Sequence, residues 1–330
     1  MQRFQLNDLR ERAASALISA GASPANAASV AMALVAAEAM GQTGHGLVRL
    51  HAYGAQVRAG KVDGAAVPTA TRTRSGSAVI DAANGFAYPA LDLAVKLLPE
   101  LAKDAGIGAV AITRSHHCGA AGLPVRALAE QGLIALMFAN TPAAMAPWGG
   151  SRPMFGTNPI AFACPHASGV PLVIDLSLSK VARGKIVAAQ NEGRSIPSDW
   201  AFDAAGRPTT NPRDALGGTM APAGEAKGAV LALMVEILAA GLCNANFGVK
   251  ASSFLDAEGP PPGTGQLLLA IDPFAFGGTA ALSHIADFLN MMSEMDGVRI
   301  PGQSRAEALC RAEADGLDLS DSAVANLQCM

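Results

Sequence analysis

The chain has 330 residues, half of them hydrophobic and 15% charged, so it has material for a sizeable core and is not an intrinsically disordered chain. Its length suits about two domains. A formal net charge of −3 gives no field to hold a polyphosphate backbone, and two tryptophans and two tyrosines make no stacking platform, so nucleic acid is excluded as the main partner.

The charged opening run MQRFQLNDLRERAASAL has no apolar core, so no secretory leader is expected. The first strong element is a helix over Pro24–Met40, with Ser23 as N-cap, Pro24 at the first helical position and Gly41 ending it. A second helical segment is expected over 46–59. Strands follow at 78–81 and 108–113, with a helix over 89–104 between them, then a short helix at 123–131 and a strand at 133–139. The Gly/Pro-rich stretch 141–159 reads as loops. Strands at 160–163 and 171–175 precede a long loop, 195–218. A buried helix is expected over 228–242, a turn-rich stretch over 256–266, a buried strand at 267–272, and mostly helix from Gly278 onward. The most apolar run, Val230–Cys243, is too short to span a bilayer and carries Glu236, so no membrane partner is expected.

Five cysteines (Cys118, Cys164, Cys243, Cys310 and Cys329), odd in number, far apart and without CxxC, fit neither a disulfide framework nor a zinc ribbon; the cytoplasm is the expected compartment. The stretch Gly106–Ala111 matches GxGxxA, but a dinucleotide loop needs a strand before the glycines and a helix after them. Here the order is reversed, and the simpler account is that Gly106 ends a helix and the chain turns into a strand.

Five segments could carry chemistry. In GHGLVR, His45 and Arg49 are four apart and would share a helical face, a guanidinium for a carboxylate beside an imidazole for a proton. On spacing alone, a solvated polar face is the commoner outcome. SHHCGAAG (115–122) leaves a strand and enters a Gly/Ala-rich helix start suited to close ligand approach. Its His-His-Cys has no second ligand cluster, so no metal is expected. FGTNP (155–159) with Asp175–Ser177 offers hydroxyls and a carboxylate at loop–strand junctions, though Asn158-Pro159 alone accounts for a turn. PAGEAKG (222–228) puts Lys227 at a helix start, an anion site or a plain surface lysine. Arg299 and Arg305 flank a turn that could clamp a phosphate, or that simply precedes a helix capped by Ser304.

Together and in order, GHGLVRLHAYGAQVRAGKV, SHHCGAAG, APWGG with FGTNPIAFACP, IDLSLSKVARGKI, PSDWAFDAAGRPTTNP and APAGEAKGAVLALMVEILAAGL resemble the malate/L-lactate dehydrogenase-type NAD(P)H-dependent oxidoreductases, a non-Rossmann family. The runs ASSFLDAEGPPPGTGQLLLAIDP and RIPGQSR look closest to its Δ1-pyrroline-2-carboxylate/Δ1-piperideine-2-carboxylate reductase branch. The resemblance implies a mixed α/β fold. Its cofactor-binding domain, on a largely antiparallel sheet, takes 73–274, and a helical domain takes both chain ends, 1–72 and 275–330. It implies a homodimer, a small carboxylate substrate, and NADPH as cofactor with NADH as the alternative. By it, His45 resembles the proton donor, Arg49 the carboxylate anchor and Thr157 a substrate contact. His117, Cys118, Gly119, Ala120 and Ala121 resemble cofactor contacts, as do Asp175, Leu176 and Ser177, Ala226 and Lys227, and the block Arg299, Ile300, Pro301, Gly302, Gln303, Ser304 and Arg305.

Two positions depart from the imine-reductase pattern: Gly44 stands where a serine usually precedes the histidine, and Lys185 where an aspartate is expected. In that pattern the serine and aspartate form a relay with the histidine, and lysine is common among the hydroxy-acid members. Reduction of a cyclic imino acid to proline or pipecolate is the leading expectation. A 2-hydroxy-acid dehydrogenase of the malate or lactate type is the alternative, and a binding-only homologue and a zinc hydrolase are the more distant ones.

Overall fold

The computed structural model describes residues 2–166, 169–320, Val324 and Leu327; Cys329 lies outside them. In chain order, strand β1 (Gln2–Phe4) leads into helices α1 (Leu6–Ser19), α2 (Pro24–Ala39) and α3 (Arg49–Arg58). Strands β2 (Thr69–Arg74) and β3 (Ser77–Asp81), helix α4 (Ala87–Ala105), strand β4 (Ile107–Ser115), helix α5 (Gly122–Ala129) and strands β5 (Ile134–Ala139), β6 (Ile160–Cys164) and β7 (Leu172–Leu176) follow. Next come α6 (Arg183–Asn191), β8 (Ala201–Phe202), α7 (Pro212–Gly217), β9 (Thr219–Met220) and α8 (Ala226–Glu236). The chain closes with β10 (Thr264–Ile271), α9 (Phe274–Gly277), α10 (Ala280–Ser293), α11 (Gln303–Asp315) and β11 (Leu317–Leu319).

Seven strands form one sheet in the order β2-β3-β4-β10-β5-β6-β7, with only β3–β4 parallel. The sheet is thus largely antiparallel, and Gly106 (φ +78) ends α4 before β4 begins, which is why the GxGxxA match carries no nucleotide loop. Both faces are covered. Leu268 and Ala270 of β10 pack with α4 and α5 on one side, while Leu267 and Leu269 meet α6, α7 and α8 on the other. This two-sided burial explains the near-continuous apolar run of β10. Helices α1, α2 and α3 form a separate core joined by Leu309 and Ala312 of α11, and β1 pairs with β11. Helix α10 packs on the sheet instead, through Ile285, Leu289 and Met292 against Cys164 and Leu172. No helix among the described residues is long and apolar enough to cross a membrane.

Several elements differ from the sequence reading. Strand β2, TATRTR, is exposed at every position and occupies the sheet edge, so no apolar alternation marks it. Helix α6 buries only Ile186 and Ala189 and likewise lacks a stripe. The 195–218 loop contains β8 and α7, and the 228–242 helix begins at Ala226 and widens into a π-turn over Ile237–Gly241. The expected 46–59 helix starts at Arg49, and the reason lies in the site.

Candidate active site

Strands β4, β5 and β7 run in one direction and β10 and β6 in the other. The ends of the first three and the starts of the other two therefore lie along a single edge of the sheet. That topology gathers the segment after Ser115, Thr157 before β6, the Asp175–Ser177 strand end and the loop preceding β10.

The helical layer meets this edge through a short 3-10 turn, Thr43–His45. The carboxylate of Glu38 on α2 accepts from the Leu47 amide at 2.8 Å, and burial pushes its carboxyl above the usual range. Gly46 lies against that carboxylate so closely that a Cβ would come within 2.0 Å of Glu38 Oε2. Its extended backbone (ψ −144) interrupts any helix running from 46. His45 and Arg49 are therefore not successive turns of one helix. Arg49, opening α3, instead folds its Nε back to donate to the carbonyl of Gly44, the residue before His45, at 2.7 Å. His45 is half-buried, stacks on His117 with centroids 5.3 Å apart, and leaves Nδ1 buried without a hydrogen-bond partner among the described residues. Burial lowers its pKa below the ordinary histidine value, Arg49 adds to this, and Asp175 opposes it.

His117 Nδ1 shares a 2.6 Å hydrogen bond with the Tyr53 hydroxyl, which in turn lies 3.1 Å from the Tyr88 hydroxyl. Burial holds His117 well below the ordinary value, so it is neutral at pH 7. The Cys118 thiol is buried and pushed up to about 12, which makes it inert. Gly119 (φ +66) packs on Tyr88, where a Cβ would come within 2.5 Å of the hydroxyl. Ala120 and Ala121 are buried, and Gly122 opens α5 directly against Asp175.

Asp175 Oδ2 accepts from Gln42 Nε2 at 3.1 Å, and Arg305 Nη1 stands 4.0 Å from the same oxygen. The Arg299–Arg305 turn docks on β7. Pro301 O accepts from Val173 N at 3.1 Å, and Gly302 (φ +88) lies where a Cβ would be 2.9 Å from Val173. A cavity opens here, lined by Met40, Gln42, Gly122, Arg126, Gly302 and Arg305. Ile300 packs towards α10, while Arg299, Pro301, Gln303 and Ser304 are exposed.

Thr157 O accepts from Leu178 N, and Leu178 O accepts from Ala223 N, both at 2.8 Å. Thr157, the Leu176-Ser177 strand end and the start of α8 thus adjoin one another. Ala226 is half-buried and Lys227 is exposed, and the residue before them, Glu225, holds a left-handed φ of +55. Lys185 lies exposed on α6. Among the described residues no group of three or more His, Cys, Asp or Glu side chains could hold a metal ion.

Sequence reasoning missed the supports of this edge. Glu236, the one carboxylate of the apolar α8, accepts from Gly248 N at 2.6 Å, Asn158 Nδ2 at 2.8 Å and Asn140 Nδ2 at 3.3 Å. It pins the loops after β5 and before β6, and a lone carboxylate inside an apolar run was the available signal. Tyr53, Gln56, Lys61 and Phe254 also went unnoticed, since each pairs with a residue far away in sequence.

A half-buried imidazole, a guanidinium and an arginine-lined cavity thus lie at one edge of a largely antiparallel, non-Rossmann sheet. The chain matches the malate/L-lactate dehydrogenase family over residues 4–328, and it belongs to that family. It is 49% identical over 326 residues to a (2R)-3-sulfolactate dehydrogenase (NADP(+)) of Chromohalobacter salexigens, covering 98% of this chain and 97% of that one. It is 38% identical over 309 residues to a Δ1-pyrroline-2-carboxylate/Δ1-piperideine-2-carboxylate reductase of Pseudomonas syringae pv. tomato, covering 93% and 90%. The crystal structure of Δ1-piperideine-2-carboxylate reductase from Pseudomonas syringae pv. tomato superimposes with a TM-score of 0.93 at 36% identity, covering 99% of each chain.

Proposed function

We propose that this protein is an NADP-dependent dehydrogenase of a small 2-hydroxy acid of the 3-sulfolactate type. The observation that carries the reading is the half-buried His45, its Nδ1 without a hydrogen-bond partner among the described residues and its pKa lowered by burial, in a turn to which Arg49 bonds back. A neutral imidazole is a base, and a base is what removal of a hydroxyl proton needs. The 49% identity to a sulfolactate dehydrogenase supports the same reading, as does Lys185 in place of the aspartate expected of imine reductases.

Arg49 binds the substrate carboxylate through its guanidinium and so fixes which face of the substrate carbon is presented. His45 accepts the hydroxyl proton during oxidation and returns it during reduction. Thr157 contacts the substrate through its hydroxyl. The residues at this sheet edge fit a nicotinamide nucleotide: Asp175 would accept from ribose hydroxyls, Arg305 and Arg299 would meet phosphate, Lys227 would add a cation at the start of α8, and Gly119, Ala120 and Ala121 would allow close approach beside His117 and Cys118. When bound, that nucleotide accepts or supplies the hydride. Helix α8 turns Val230, Leu231 and Leu233 outward, and the π-turn after it Ile237, apolar surface that a second copy of the chain would cover in a homodimer.

A second reading, reduction of a cyclic imino acid, is favoured by the 38% relative and the 0.93 superposition. Steady-state kinetics separate the two. The expected result is turnover of 3-sulfolactate, malate or lactate with NADP+, with kcat/KM above that for NADPH and Δ1-pyrroline-2-carboxylate. The reverse order replaces this reading by the imine one. Nucleotide binding without any turnover leaves only a binding protein.

A further inference from the structure

Lys61 is 2% exposed, an unusual place for an ammonium. A buried charge survives only where its donors are matched. Its Nζ donates to Glu258 O at 2.6 Å and Ser253 O at 2.7 Å, and lies 3.1 Å from Asp256 O and 3.3 Å from Asp256 Oδ1. Gln56 Nε2 donates to Phe254 O at 3.0 Å and Asp256 O at 2.9 Å. The irregular stretch 253–258 is thus bound at both sides of Phe254 by two side chains from one place.

Phe254 is 8% exposed, and its ring centroid lies 5.1 Å from those of both His116 and His117. His117 in turn stacks on His45. The opposite end of this ring series is fixed by the same helix. Arg49, Tyr53 and Gln56 occupy positions i, i+4 and i+7 of α3, one face, and Lys61 follows just past its end. One short element therefore carries the substrate anchor, the hydroxyl bonded to His117, and the tether of the loop that packs on His117 from the other side.

We propose that Lys61 is a positioning residue: with Gln56 it ties the 253–258 loop down so that Phe254 clamps the His116–His117 pair and thereby sets the ring of His45 relative to Arg49. This rests on the reading that His45 moves the proton. A fixed imidazole plane matters because proton transfer requires close, aligned approach, and a displacement of about 1 Å can cost about a hundredfold in rate. The Lys61 charge has a second effect. After burial, it is the largest influence keeping His116 neutral, so the clamp is a stack of uncharged rings.

The test compares Lys61→Met, which keeps length but removes charge and donors, with Lys61→Ala and Phe254→Leu. In Lys61→Met, hydrogen exchange over 250–262 should speed up, the 15N signals of the His117 and His45 rings should shift, and kcat on whichever family substrate the wild type prefers should fall about tenfold. NADPH affinity, read by nucleotide fluorescence, should fall by a smaller factor than kcat, since neither Lys61 nor Phe254 bonds to Gln42, Asp175 or Arg305. Adding n-propylammonium to Lys61→Ala should restore kcat severalfold, and neutral propanol should not. Phe254→Leu should lower kcat with loop exchange unchanged, and it serves if neither Lys61 variant folds. Wild-type kcat and unshifted histidine signals in Lys61→Met, or in Phe254→Leu, overturn the proposal, and so does equal loss of kcat and nucleotide affinity. A wild type inactive on every family substrate sinks the functional reading, while the histidine signals still decide the tether.

Discussion

The replacement His116→Phe tests the electrostatics of the site without touching its chemistry. His116 is 1% exposed, both ring nitrogens lack a hydrogen-bond partner among the described residues, and its neighbours are Tyr53, Phe86 and Phe254. Burial first, then the charges of Lys61 and Arg49, lower its pKa from 6.5 to about 3. The unfolded chain then takes a proton near pH 6.5 that the folded protein refuses. Stability is therefore complete above the unfolded pKa and lost as the pH falls towards the folded one. At pH 5.5, one unit below the unfolded value, this histidine removes about 1.4 kcal/mol relative to pH 7.5. Phenylalanine has nearly the same shape and no proton to refuse. Urea unfolding at pH 7.5 and 5.5, on wild type and variant, reads the difference. The variant should lose about 1.4 kcal/mol less than wild type between the two conditions. It should be no less stable at pH 7.5, because two unpaired ring nitrogens have gone. Equal losses for both proteins would refute the claim that His116 is buried and uncharged.

Arg49→Lys keeps the charge but loses the planar fork; KM for carboxylate substrates should rise about tenfold, checked by initial rates. Glu236→Leu leaves the Asn140 and Asn158 amides and the Gly248 N–H short of an acceptor, and should lower unfolding free energy by about 3 kcal/mol in urea titration. Gly302→Val must fit a side chain at φ +88 where a Cβ already lies 2.9 Å from Val173; NADPH affinity should drop while kcat at saturating nucleotide holds, as read by fluorescence titration. For hydroxy-acid oxidation, the acid limb of kcat/KM should lie below pH 6.5, because burial and Arg49 lower the His45 pKa in the free enzyme. A limb at or above pH 7 would count against His45 as the base.

Much of the sheet was legible because its strands carry apolar runs bounded by Gly and Pro, and Ser23, Pro24 and Gly41 mark α2 so plainly that its ends differ by a single residue. Strand β2 was not legible because an edge strand exposed on every residue has no alternation to read, and α6 because two buried residues make no stripe. His45, Arg49, His117 and Asp175 could be named, but their arrangement could not. Periodicity put His45 and Arg49 on one helix, whereas Glu38 caps the turn between them, a contact across nine residues that only packing supplies. The Lys61–Asp256 and Asn140–Glu236 links span still longer separations and leave no local trace.

The arrangement has an electrostatic logic of its own. Arg49 and Arg305 both lower the His45 pKa, and the opposing charge, Asp175, is already engaged by Gln42. In the free protein the balance leaves His45 uncharged, ready to take a proton. A substrate carboxylate seated on Arg49 would neutralise part of that cationic influence, so the imidazole would hold a proton more readily in the complex than in the free protein. On the proposed function, the same anion that positions the substrate would thus move the base towards the acid it must become in the reverse direction. On that proposal a single histidine without the serine–aspartate relay would serve both directions, because the substrate itself would supply the charge that the relay would otherwise provide.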